Sequence, residues 1–134
     1  MPASLTYDYA IVRVVPRVDR GERINVGVIL SCVDAEFLEA RIEIDTARLL
    51  LLDPALDLEA IRAGLVTIPL VCAGGADAGV IGAMPRRDRF RWLVSPRSTV
   101  IQMSPVHTWR TSDPAAAVEH LLDTMVRSGP APKA

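Results

Sequence analysis

Three polar clusters carry the side chains of this chain that are able to do chemistry. The first, PRVDRGERIN, holds Arg17, Asp19, Arg20, Glu22, Arg23 and Asn25. Its carboxylates suit acid–base work or a metal, and its guanidinium forks match an anionic group. The same residues equally describe a solvated hairpin tip. The second, PRRDRFRW, sets arginines beside Phe90 and Trp92, a pairing that binds nucleic acid through phosphate contacts and base stacking. A helix or loop that covers a sheet edge and pairs with the acidic middle of the chain explains it as well. The third, SPRSTVIQMSPVHTW, gathers Ser95, Arg97, Ser98, Thr99, Gln102, Ser104, His107 and Thr108. Ser104 and His107 are close in sequence, as a nucleophile and its base would be. No orienting acid stands with them, and no GxSxG elbow surrounds either serine.

Several classes of function have no motif here. P-loop and GxGxxG patterns are absent, so the usual nucleotide pockets are not signalled. Two histidines and singly spread acids make a metal site unexpected. No cofactor is implied. Cys32 and Cys72 sit in the apolar runs GVILSCV and IPLVCAG and read as buried, reduced thiols. Net charge is −1 over 134 residues, which carries no global signal for nucleic acid. The charge is unevenly placed, however. Residues 34–77 hold nine acids against three arginines, and residues 79–110 hold six arginines against Asp88. The start of the chain lacks the pattern of a secretory signal, and no apolar run approaches a membrane span. A cytoplasmic protein with no membrane partner is expected.

The elements that must position these clusters follow from periodicity. LTYDYAIVRVVP reads as a strand over residues 6–15, with Tyr7, Tyr9, Ile11 and Arg13 on one face. A hairpin leads to a second strand, RINVGVILSCV. Ile24, Val26, Val28, Leu30 and Cys32 share one of its faces, and Asn25 and Gly27 leave the other open. FLEARIEID gives a third strand that completes a meander. Asp45 caps a short helix. Asp53, with Pro54 at the first position, opens a longer one that Pro69 kinks or ends. Residues 76–89 read as loop, FRWLVSPRS as a short strand or irregular segment, and TVIQMS as a strand. Asp113 and Pro114 start the last helix, whose apolar stripe is Val118, Leu121, Leu122 and Met125. The expectation is one α+β domain over residues 1–127. An antiparallel sheet of about four strands carries helices on one face, and residues 128–134 form a flexible tail.

The stretches YDYAIVRVVPRVDRGERINVGVILSC and RFRWLVSPRSTVIQMSPVHT together resemble the bacterial family catalogued as domain of unknown function 3037, over about residues 7–126. Members of that family are small, cytoplasmic and often encoded beside a HipA-like kinase, so the resemblance implies a partner or accessory role. The motif positions it carries over are Arg13, Pro16, Arg17, Glu22, Asn25, Gly27, Arg97, Ser98, Thr99, Gln102 and Ser104. Asp19 replaces a glutamate frequent in the family's hairpin, and Trp109 follows SPVHT. The reading favoured at this level is a non-catalytic interaction module, with a HipA-like kinase as candidate partner and a homodimer through an edge strand as a further one. The alternative is an anion-binding protein or enzyme acting on a phosphorylated or carboxylated ligand. Arg13, Arg17 and Arg97 would fix the anion, and Asn25, Ser98, Thr99, Gln102 and Ser104 would complete the polar face. Glu22 would be its base. That alternative requires the first two strands and the TVIQMS strand to be neighbours.

Overall fold

The computed structural model describes residues 4–97 and 99–127. Ser98 and the expected tail at 128–134 lie outside them. Strands β1 (Leu5–Val14), β2 (Ile24–Cys32) and β3 (Phe37–Ile42) form the expected antiparallel meander. Next come helices α1 (Thr46–Leu52), α2 (Leu58–Ala73), the single turn α3 (Gly79–Gly82) and α4 (Arg86–Val94). Strands β4 (Ile101–Met103) and β5 (His107–Thr111) follow, and then α5 (Pro114–Leu121), which continues as a π-helical turn over Leu122–Val126. The sheet is antiparallel and five-stranded, one strand more than expected. Both β4 and β5 pair with β1, one after the other along the same edge.

The helices occupy both faces of the sheet, which corrects the one-face expectation. Tyr7, Ile11, Val28, Leu30 and Cys32 pack under Ala117, Val118, Leu121 and Leu122 of the C-terminal helical segment. On the opposite face, Val12, Val14, Ile29 and Ala40 meet Leu49 of α1, Ile61, Leu65 and Ile68 of α2, and Phe90 and Leu93 of α4. β1 and β2 are thus apolar on both sides because both sides are covered. Each fully buried Val, Leu, Ile or Phe among them contributes about 1.5–3 kcal/mol of transfer free energy.

Local chemistry explains where the elements begin. The Asp45 and Asp113 carboxylates accept from Arg48 N and Ala116 N, as their positions predict. The long helix starts later than expected, because Asp57 is its cap and accepts from Ala60 N. Asp53 instead closes a turn, taking Ala55 N on its carboxylate and Leu56 N on its carbonyl. Pro69 lies inside α2, which runs on to Ala73. RRDRFRWLV is one helix, where loop was expected up to residue 89 and a short strand or irregular segment after it, and it buries Arg89, Phe90 and Leu93. In the last segment the π turn adds a residue to the helical period. Val126 is therefore buried in place of Met125, which is 42% exposed.

Candidate functional site

The two polar motifs meet across the sheet. Arg13 of β1 is paired with Asn25 on one side and Gln102 on the other. Directly opposed residues of antiparallel neighbours share a face, so the three side chains form one row on the α5 side. A β-bulge puts Asn25 there. Val12 pairs with Gly27 and Arg13 with Asn25, so Val26 is an extra residue on β2 and reverses the alternation beyond it. Val26 and Ile24 consequently pack on the opposite face from Val28 and Leu30, which corrects the single face expected for them. Asn25 uses one amide N–H to reach the carbonyl of Met125 in the π turn, at 2.9 Å. Gln102 donates to the Thr99 carbonyl at 2.8 Å. Each amide keeps a second N–H donor.

Arg13 sits in this row without a counter-ion. Its Nε is buried and has no hydrogen-bond partner among the described residues, and none of the ion pairs among them includes it. Burial pushes its guanidinium pKa down, and the neighbouring charge of Arg23 pushes the same way. A partly buried cation beside a second cation is costly until an anion arrives.

The remaining polar residues singled out in the sequence are placed elsewhere or engaged. Arg17 is exposed and 3.9 Å from Asp19, and Glu22 pairs with Arg20 at the hairpin. Arg97 stacks over Trp92 at 4.6 Å and donates to its carbonyl at 3.0 Å. The Thr99 hydroxyl donates to Ile101 O. Ser104 is buried and bridges the break between β4 and β5. Its hydroxyl accepts from Ile11 N at 2.8 Å, while its own N–H donates to Ile11 O. That hydroxyl completes the ladder of β1 and does not face His107, which pairs with Tyr9.

The arginine cluster of α4 turns out to hold the fold together. On the face opposite Arg13, Arg87 donates to Asp8 at 2.6 Å and to the Ser31 hydroxyl at 3.0 Å, and lies over the Phe90 ring. Thr108 donates to the other Asp8 oxygen at 2.5 Å. Burial alone would raise the Asp8 carboxyl pKa, but these bonds and the Arg87 charge hold it below the usual range. Glu43 is held low as well, first by its hydrogen bonds from Arg127, which also binds Glu119 and Asp123. A carboxyl depressed in the folded state adds stability that is complete above its unfolded pKa and fades as pH falls through the folded one. Urea midpoints are therefore expected to stay level above about pH 5 and to fall steadily below about pH 4. Asp8→Asn is expected to flatten that fall, and an unchanged profile would contradict the assignment.

A second concavity went unnoticed in the sequence. It has a volume of about 360 Å³ and lies between β1, β5 and the C-terminal helical segment. Tyr7, Tyr9, His107 and Trp109 line it from the sheet, and His120, Thr124 and Met125 from the helix. The alternation of His107, Trp109 and Thr111 was the available signal for β5, but every residue from 107 to 110 is exposed, so no apolar pattern marks the strand. Among the described residues no three side chains of metal-ligating type gather in one place, and no helix is long and apolar enough to cross a membrane.

Comparison with known proteins matches the chain to a family. A family model described as "Protein of unknown function (DUF3037)" covers residues 9–126. No curated protein and no solved structure matches the chain.

Proposed function

The chain belongs to the DUF3037 family, and we propose that it binds a small anionic ligand, phosphorylated or carboxylated, through Arg13 with Arg23, Asn25 and Gln102. The observation that carries this reading is the Nε of Arg13, buried beside a second arginine and without a partner among the described residues. A guanidinium gains most from a planar or tetrahedral oxyanion, which accepts two parallel N–H bonds. Asn25 and Gln102 flank Arg13 on both neighbouring strands and offer neutral donors on either side of such a group. The same row draws support away from the docking-module reading, with its HipA-like kinase partner. That reading accounts for exposed polar residues in general, but gives no reason to keep one cation half-buried and unpaired.

Thermal unfolding in inorganic phosphate and in acetate, at constant ionic strength, tests the proposal. Ligand that binds only the folded state stabilises it by about 2.7 kcal/mol at a hundredfold excess over Kd. Wild type is expected to gain several degrees in one of the two anions. Arg13→Gln is expected to keep only the small rise that phosphate gives any protein by exclusion from its surface. Equal shifts in the two proteins would overturn the reading and return the polar row to a docking surface.

A further inference from the structure

The aromatic concavity lies on the same face of the sheet as Arg13. Tyr7, Tyr9 and Arg13 are on β1, and His107 and Trp109 are paired with Tyr9 and Tyr7. The rings are close: Tyr7 and Tyr9 centroids are 5.9 Å apart and tilted by 40°, and those of Tyr9 and His107 are 5.4 Å apart and tilted by 34°. Trp109 is 68% exposed at the rim. A second hollow of about 280 Å³ adjoins the first and shares Tyr7, Trp109 and His120 with it. Among the described residues no acidic side chain lines either hollow, which disfavours a cationic occupant and suits a neutral ring. Planar π-faces stack on such rings whatever their sequence of heteroatoms. The imidazoles of His107 and His120 add polar edges to the same walls.

The spacing to Arg13 sets the rest of the ligand. Tyr9 and Arg13 are four residues apart on one strand, about 13 Å at the usual rise. Met125 links the two places, since it lines the ring pocket and its carbonyl accepts from Asn25. We propose that the ligand is a nucleoside polyphosphate, with its base in the Tyr9 pocket and its terminal phosphate on Arg13. The span between base and terminal phosphate in an extended nucleoside diphosphate is of this order. The phosphate half of the proposal rests on the anion reading above, whereas the ring half does not.

Titration calorimetry on the full chain separates the two halves. The probes are ADP, GDP and UDP, the matching nucleosides, and pyrophosphate. One diphosphate is expected to bind about tenfold or more tighter than both its nucleoside and pyrophosphate. Loss of one stacking partner weakens ring binding by about fivefold or more, so His107→Ala and Tyr9→Leu are expected to weaken diphosphate and nucleoside alike and to leave pyrophosphate unchanged. His107 is exposed, so its removal leaves the fold in place. Arg13→Gln is expected to remove the advantage of the diphosphate over its nucleoside. Pyrophosphate binding that depends on Arg13, with no diphosphate tighter and no effect of the ring variants, overturns this inference and spares the anion reading. Nucleoside binding that depends on the rings and is indifferent to both phosphate and Arg13 overturns the joint ligand and the phosphate form of the anion reading, whose carboxylate form the acetate measurement decides. Absence of binding by every diphosphate overturns the joint ligand.

Discussion

Arg89→Met is expected to destabilise the protein by about 2–4 kcal/mol, because it strips donors from several buried carbonyls at once. Arg89 is only 8% exposed, yet it has no carboxylate partner among the described residues. Its Nη1 donates to the carbonyls of Val71 and Cys72, at 2.8 and 2.7 Å, and its Nε donates to Met84 at 3.0 Å. The first two belong to the last turn of α2, where helical carbonyls lack partners and the backbone dipole favours a cation. Gly74 makes the approach possible. It has a φ of +76°, and a Cβ there would stand 2.8 Å from the guanidinium. The neighbouring Cys72 thiol is pushed up to about 12 by burial, despite the pull of the Arg89 charge, so it stays protonated and inert at neutral pH. Arg89→Lys is expected to restore less than half of the loss, since an ammonium cannot hold the fixed fork that reaches the end of α2 and the Met84 carbonyl together. Urea unfolding with an unchanged slope and a shifted midpoint is the readout. A loss under about 1 kcal/mol for Arg89→Met would show that water replaces the guanidinium at no great cost.

Arg89 also shows why part of the fold was hidden in the sequence. With Arg89 counted as polar, RRDRFRWLV has no apolar stripe, and only its burial next to Phe90 and Leu93 reveals helical spacing. Elements with local signals were legible. The caps Asp45 and Asp113 hold their helices, and the alternation of Leu38, Ala40 and Ile42 marks β3. The cap expected at Asp53 lies instead at Asp57, because Asp53 closes the turn around Pro54. The bulge at Val26 left no trace, because β2 is apolar on both sides and a reversal of its faces changes no pattern. It follows from pairing with β1, which is non-local. The site was legible to the extent that its two motifs could be asked to touch, and β1 does lie between β2 and β4. Which arginine would stand unpaired was not legible. Arg13, Arg17 and Arg97 look alike in sequence, and only packing separates the buried one from one beside Asp19 and one stacked on Trp92.

Gly27 is where the second large effect is expected, and the bulge makes it relevant to the site. On backbone freedom alone, Gly→Ala in a strand gains about 0.5–1 kcal/mol. Here the sign reverses. A Cβ at Gly27 would lie 2.6 Å from the Arg41 carbonyl oxygen and 2.6 Å from Ile42 Cδ1. The Ile42 methyl can rotate away, but the carbonyl belongs to β3 and moves only with the strand. Gly27 is buried and paired on both sides, with Val12 and with Ile42, so neither neighbour gives way freely. Gly27→Ala is expected to cost about 2–3 kcal/mol, in the range of overpacked core sites. Gly64→Ala is the matched control. Its Cβ would meet only the end of the Ile101 side chain, also at 2.6 Å, and a mid-helix alanine gains about 1 kcal/mol in propensity. That variant is expected to be neutral or stabilising. The same pair reaches the ligand site, because displacing β2 at Gly27 moves the bulge that turns Asn25 toward Arg13. Gly27→Ala is therefore expected to lose anion-dependent stabilisation beyond its loss of stability, while Gly64→Ala keeps it whole. Gly27→Ala within about 0.5 kcal/mol of wild type, with its anion response intact, would mean that β3 yields and that the bulge does not depend on the close approach.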